Sequence, residues 1–157
     1  MNPEFIYTTY IKTTPEKLWQ ALTNPEFTRR YWNGDNVSDW KAGSNWQHLD
    51  SDDHEVLVTG KVLESEAPRR LVLTWAHAST LDDECQVTFE IEAMGDMVQL
   101  TVIHDHFKAG SPMQGLVSKG WPRVLSSLKT MLETGTPLNT WVGHTSCARA
   151  EKAAIAN

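Results

Sequence analysis

The stretch Cys85-Gln86-Val87-Thr88-Phe89-Glu90-Ile91-Glu92 alternates apolar and polar residues without a break. Such alternation marks a β-strand with one face in the core and the other in water, so Cys85, Val87, Phe89 and Ile91 are predicted to point inward. A slip of one residue would expose the whole set, which makes the register of the strand well determined. The same period runs on either side. Residues 45–50, 54–64, 70–77 and 97–107 also read as strands. Leu71, Leu73, Trp75 and His77 share a face, as do Val98, Leu100, Val102 and His104, and Trp46 with His48. The breaks, at Lys41-Ala42-Gly43, Ser51-Asp52-Asp53, Ala67-Pro68, residues 79–83 and Met94-Gly95-Asp96, are short. Connections of that length join antiparallel strands, because a parallel pair needs a crossover of roughly a dozen residues or more.

Beyond Phe107 the period becomes helical. Met113, Val117, Trp121, Val124, Leu128 and Met131 form one stripe, opened by Ser111-Pro112 and closed by Gly135 as a C-cap. Pro122 removes one backbone donor inside this stretch, which predicts a kink or a fresh start near Gly120. Upstream of the meander, residues 5–11 read as a further strand. Either Thr14 before Pro15, or Thr13 with Glu16, then caps a helix with the stripe Leu18, Ala21 and Leu22. Asn24-Pro25-Glu26 stops it and starts a shorter helix reaching about Tyr31. The predicted class is α+β, with a curved antiparallel sheet wrapped around one long C-terminal helix. Residues 138–157 have little periodic apolar content before an alanine-rich end, so the folded domain is expected over 1–137 with a loosely attached tail.

The chain has 157 residues, 40% of them hydrophobic and 22% charged, an ordinary balance for one globular domain. No run approaches the ~20 apolar residues of a membrane span. The opening MNPEFIYTTYIK lacks a basic region followed by an apolar one, unlike an export signal. Cys85 and Cys147 are too few for a disulfide scaffold and lack metal-type spacing, which points to a reducing, cytoplasmic setting. Net charge is −6, and the basic residues are scattered apart from Arg29–Arg30 and Arg69–Arg70, a pattern opposed to nucleic-acid binding.

Particular segments carry a family resemblance. They are Pro15-Glu16-Lys17-Leu18-Trp19-Gln20-Ala21-Leu22-Thr23-Asn24-Pro25, Tyr31-Trp32, Trp40-Lys41-Ala42-Gly43-Ser44 and Gly60-Lys61-Val62-Leu63-Glu64. Pro68-Arg69-Arg70-Leu71, Thr74-Trp75, Leu100-Thr101-Val102-Ile103-His104, and Gly120-Trp121 with Leu125, Leu128 and Gly135 continue the series. Taken in order, they resemble the activator of heat-shock protein 90 ATPase-like family, within the START-related helix-grip superfamily also called SRPBCC. The resemblance implies a helix-grip fold with a cavity between sheet and long helix. It also brings in a chaperone partner, although nothing in the chain matches the separate N-terminal domain of the eukaryotic co-chaperone. Stand-alone bacterial relatives look like small-molecule binders, and superfamily relatives include polyketide cyclases and lipid carriers.

On that frame Trp32, Trp46, Trp75, Phe89 and Trp121 would converge between sheet and helix. They would either line an apolar pocket, whose indole N–H groups orient a ligand, or fill a solid core. His48, His77 and His104 lie on the apolar faces of their strands. His48 and His104 join the cavity set as polar anchors, against the alternative of satisfied core histidines. A cyclase or hydratase would use His104 or His48 for proton transfer, and Glu64 is the one acid with a case as a general base. His104 and His106, with His48, make an incomplete metal set, so no metal or cofactor is expected. Nucleophile elbows, phosphate loops and dinucleotide fingerprints are absent from the sequence, and Asp52-Asp53 and Asp82-Asp83 read as solvated turns. The expected function is a cytoplasmic binding domain for a hydrophobic or amphipathic small molecule, monomeric or homodimeric. A chaperone regulator and an enzyme are the alternatives.

Overall fold

In the computed structural model residues 2–140 and 146–156 are described; Trp141 lies outside them. In chain order the elements are β1 (Phe5–Ile11), α1 (Pro15–Thr23), α2 (Pro25–Trp32), β2 (Gly34–Ser38), β3 (Asn45–Asp50), β4 (Val56–Glu66) and β5 (Arg70–His77). β6 (Cys85–Met94), β7 (Met97–Asp105), α3 (Met113–Thr134) and α4 (Cys147–Ala156) follow. The strands form one antiparallel sheet in the order β1-β7-β6-β5-β4-β3-β2. The register slips at His48/Leu49 against β4 and at Val62/Glu64 against β5. Bulges of that kind bend a strand and increase its twist, and the curved sheet closes around α3.

Local chemistry sets the element boundaries. The Thr14 side chain accepts from the Lys17 amide, with Pro15 at the first helical position of α1. Asn24 serves two helices: its amide N–H donates to Gln20 O at the end of α1, and its side chain accepts from the Glu26 N–H at the start of α2. The Tyr31 hydroxyl donates to Ala21 O at 2.7 Å and locks the pair together. Gly135, at φ 88°, caps α3 in the left-handed region, where a side chain would be strained.

Every residue assigned inward by alternation is buried, from Cys85, Val87, Phe89 and Ile91 to Val98, Leu100, Val102 and His104. Besides shifts of two residues at the ends of β4 and at the end of β6, three features differ from the sequence reading. β2 was not predicted, because Gly34-Asp35-Asn36 is poor strand composition. It forms as an edge strand on β3, with Arg29 gripping Asp35 through two hydrogen bonds of 3.0 and 2.9 Å. β7 stops at Asp105, since His106 turns into the left-handed region at φ 60°. α3 runs unbroken through Pro122, so no fresh start occurs at Gly120.

The tail reading also changes. Cys147–Ala156 form α4, which packs on β4 and α3 and buries Cys147, Ala148 and Glu151. No helix among the described residues is long and apolar enough to cross a membrane.

Candidate functional site

The aromatic set comes together as the strand and helix periods require. Trp32, at the end of α2, lies over Trp75 of β5 with ring centroids 6.3 Å apart and planes 20° from parallel. Trp121 of α3 meets Trp32 at 5.4 Å, Trp75 at 5.6 Å and Phe89 at 5.7 Å, and Trp46 meets Trp75 at 5.4 Å. Offset and edge-on contacts of this kind add roughly 0.5–1.5 kcal/mol each beyond area burial. The rings also nearly fill the space between them. The space left has a volume of about 10 Å³, room for one water-sized group. Ligand pockets usually exceed roughly 300 Å³. Its walls are Trp32, His48, Trp75 and Trp121, then Val117, Gly120 and Val124 of α3, and Cys147, Ala148 and Glu151 of α4. Of the seven residues predicted to line a cavity, Trp46, Phe89 and His104 do not border this space.

Trp46 and His104 spend their polar atoms on the protein. The Trp46 indole N–H crosses β4 and donates to Thr74 O at 2.7 Å. That path exists because residue 60 is glycine: a Cβ there would sit 1.9 Å from Thr74 O and 2.6 Å from Trp46 Nε1. The Trp121 indole N–H donates to His104 Nδ1 at 3.0 Å. With Nδ1 accepting, the proton of neutral His104 lies on Nε2, which donates to Cys85 Sγ at 2.9 Å. The thiol in turn donates to Trp75 O at 3.4 Å. Burial, with a contribution from His77, lowers the His104 pKa to about 3, and burial pushes the Cys85 thiol well up. The relay is neutral and complete, which makes His104 a satisfied core histidine and a poor proton shuttle.

His48 differs. Asn36 Nδ2–H donates to Leu22 O at 3.2 Å, which turns Asn36 Oδ1 toward His48 Nδ1 at 2.6 Å. His48 Nδ1–H is therefore the donor, and Nε2 keeps a bare lone pair. Burial first, then the neighbouring His77, lowers its pKa to about 4. Gly34 gives the ring its place, since a Cβ there would fall 2.2 Å from His48 Cε1 and Nε2. Three buried polar atoms of the wall have no partner among the described residues: His48 Nε2, Trp75 Nε1 and Glu151 Oε2. Both ring nitrogens of His77 are likewise unpartnered, with Nε2 at 3.6 Å from Glu151 Oε1.

The remaining candidates disperse. His106 is exposed and bonds Asp105, so it does not join His104. No group of three His, Cys, Asp or Glu among the described residues is arranged to hold a metal ion. Glu64 pairs with Arg70 at 2.8 Å on the exposed side of β4, away from the aromatic space. The sequence reading missed Asn36, which orients His48, and the α4 wall. The signal for α4 was present in Cys147-Ala148-Arg149-Ala150-Glu151-Lys152-Ala153-Ala154, a run of strong helix formers with buried residues one and four apart. Arg149 ties this helix to Asp50 (3.2 Å), Asp53 (2.9 Å) and Glu55, and Lys152 also binds Glu55.

Comparison with known proteins places this geometry. CalU16 from Micromonospora echinospora superposes with a TM-score of 0.71 at 22% identity, over 98% of this chain and 86% of its own. The Aha1 dimer from Colwellia psychrerythraea gives 0.70 at 20% identity, over 85% and 98%. PFC0360w, an HSP90 activator from Plasmodium falciparum, gives 0.69 at 20%, over 82% and 95%. At such identities these likenesses show the fold alone. No curated protein matches the chain. The family model described as Activator of Hsp90 ATPase homolog 1-like protein matches residues 12–133, and the chain belongs to that family.

Proposed function

We propose that the chain binds a hydrophobic or amphipathic small molecule between the sheet, α3 and α4, and that α4 moves aside to admit it. The observation that carries this reading is the trio of buried polar atoms without partners, His48 Nε2, Trp75 Nε1 and Glu151 Oε2, around one small space. A buried polar atom left unpaired costs about 1–3 kcal/mol, and most buried groups are paired. Three around a space with room for one water-sized group mark a polar spot whose occupant can be exchanged. α4 is the wall most easily moved, because it buries only Cys147, Ala148 and Glu151 and part of its hold comes from ion pairs at the protein surface, which are weak in water. Two buried free thiols agree with a reducing, cytoplasmic setting.

Native mass spectrometry of freshly purified protein tests the reading and reports monomer or homodimer at the same time. The expected result is a retained small molecule, or a rise in melting temperature with lipids, aromatic polyketides or steroids. Finding neither a retained mass nor any shift would overturn it.

A regulator of heat-shock protein 90 is the second reading, favoured by the family match and by the likeness to PFC0360w. It makes a different demand: the chain should change the chaperone's ATPase rate, whether or not the space beneath α4 is occupied. An unchanged rate in the presence of saturating chain sinks it.

A further inference from the structure

We infer that the space beneath α4 is built for an uncharged apolar molecule bearing a hydroxyl group, whose O–H donates to His48 Nε2 and whose oxygen accepts from Trp75 Nε1–H. This rests on the ligand-binding reading and names its ligand class. The two polar atoms stand on β3 and β5, so they stay in place when α4 moves. Their roles are fixed by chemistry. The Asn36 amide is held by Leu22 O and forces the His48 proton onto Nδ1, leaving Nε2 an acceptor only. The indole of Trp75 is a donor only. A hydroxyl is the smallest group that meets both, and the surrounding rings of Trp32 and Trp121 suit a flat apolar body. Charge narrows the class further. The wall residues that stay in place when α4 moves, Trp32, His48, Trp75, Val117, Gly120, Trp121 and Val124, include no Lys or Arg, so a carboxylate set between His48 and Trp75 would lose its hydration with no counter-charge among them. An ammonium could donate to His48 but could not accept from Trp75.

Isothermal titration calorimetry of the full chain at pH 7.5 decides the matter with four probes of one shape: 1-naphthol, 1-methoxynaphthalene, 1-naphthoate and 1-naphthylmethylamine. 1-Naphthol is expected to bind about tenfold more tightly than its methyl ether, the effect of leaving one buried acceptor unpaired, and the two charged probes more weakly still. Trp75→Phe leaves a smaller aromatic ring in place and removes the N–H. It is expected to weaken naphthol and ether by a similar factor and so leave their ratio intact. Equal affinity for naphthol and ether, or preference for either charged probe, overturns the hydroxyl inference while the ligand-binding reading stands. Absence of binding by all four, to both the wild-type chain and Arg149→Ala, overturns that reading and the inference with it.

Discussion

Gly60 leaves no room for a side chain. A methyl group there would collide with the Thr74 carbonyl, a backbone atom that cannot step aside, and with the Trp46 indole that bonds it. Gly60→Ala is expected to lower stability by about 2–4 kcal/mol in urea unfolding, the range of an overpacked or bond-breaking core change. A loss under about 1 kcal/mol would mean that β4 yields at this point. Histidine protonation gives a second residue-scale test. His48 and His104 stay neutral in the fold down to about pH 4 and about pH 3, but ionise near pH 6.5 once unfolded. The unfolded chain therefore binds more protons below pH 6.5, so their contribution is full above that value and is lost as pH falls toward 4. Unfolding free energies at pH 7.0, 5.5 and 4.5 are expected to decline by an amount on the order of a few kcal/mol in total. A flat profile across that window would refute the burial of two neutral histidines. The inward direction of these residues was legible from alternation alone. Their partners were not: Asn36 lies on a strand that composition disfavours, and the Trp121–His104–Cys85–Trp75 relay joins residues brought together only by packing.

At the scale of elements, α3 retains a defect that the sequence exposes. Pro122 has no N–H for the Ser118 carbonyl, yet the helix continues through it, held by the apolar stripe against the sheet. Pro122→Ala restores that donor and gains helix propensity of about 3 kcal/mol, partly offset by a looser unfolded chain. A net gain of about 1–2 kcal/mol is expected in denaturant unfolding; a net loss would show that the ring itself packs usefully. The fresh start, one of two expectations near Gly120, does not occur, because local propensity yields to the packing of Val117, Trp121, Val124 and Leu128 along one face. α4 shows the opposite error: too little apolar content to be noticed, yet helical and ion-paired in place. Because many of its ties are electrostatic, amides 147–156 are expected to exchange hydrogen faster in Arg149→Ala, or in about 1 M salt where screening reaches ~3 Å, while β5–β7 keep their protection. Uniform acceleration throughout the molecule would mean that α4 opens only by global unfolding.

For the molecule as a whole, the closed site sets stability and affinity against each other. A ligand too large for about 10 Å³ binds only the fraction of molecules in which α4 is displaced, so its apparent affinity scales with that fraction. Any change that frees α4 should then lower the stability of the unliganded chain and raise the affinity for the ligand. Arg149→Ala removes the ties to Asp50, Asp53 and Glu55 without touching the groups on β3 and β5 that would hold the ligand. The variant is expected to melt a few degrees below the wild-type chain when empty, yet to bind 1-naphthol several-fold more tightly. At a ligand concentration of about 100 times the wild-type Kd, linkage adds roughly 2.7 kcal/mol to the wild-type chain and more to the tighter-binding variant, so the liganded melting curves converge. A solid core with no second occupant gives the other pattern, in which Arg149→Ala loses stability and affinity for every probe stays at zero. The sign of the affinity change therefore separates a gated site from a filled one, independently of how much α4 contributes to the fold.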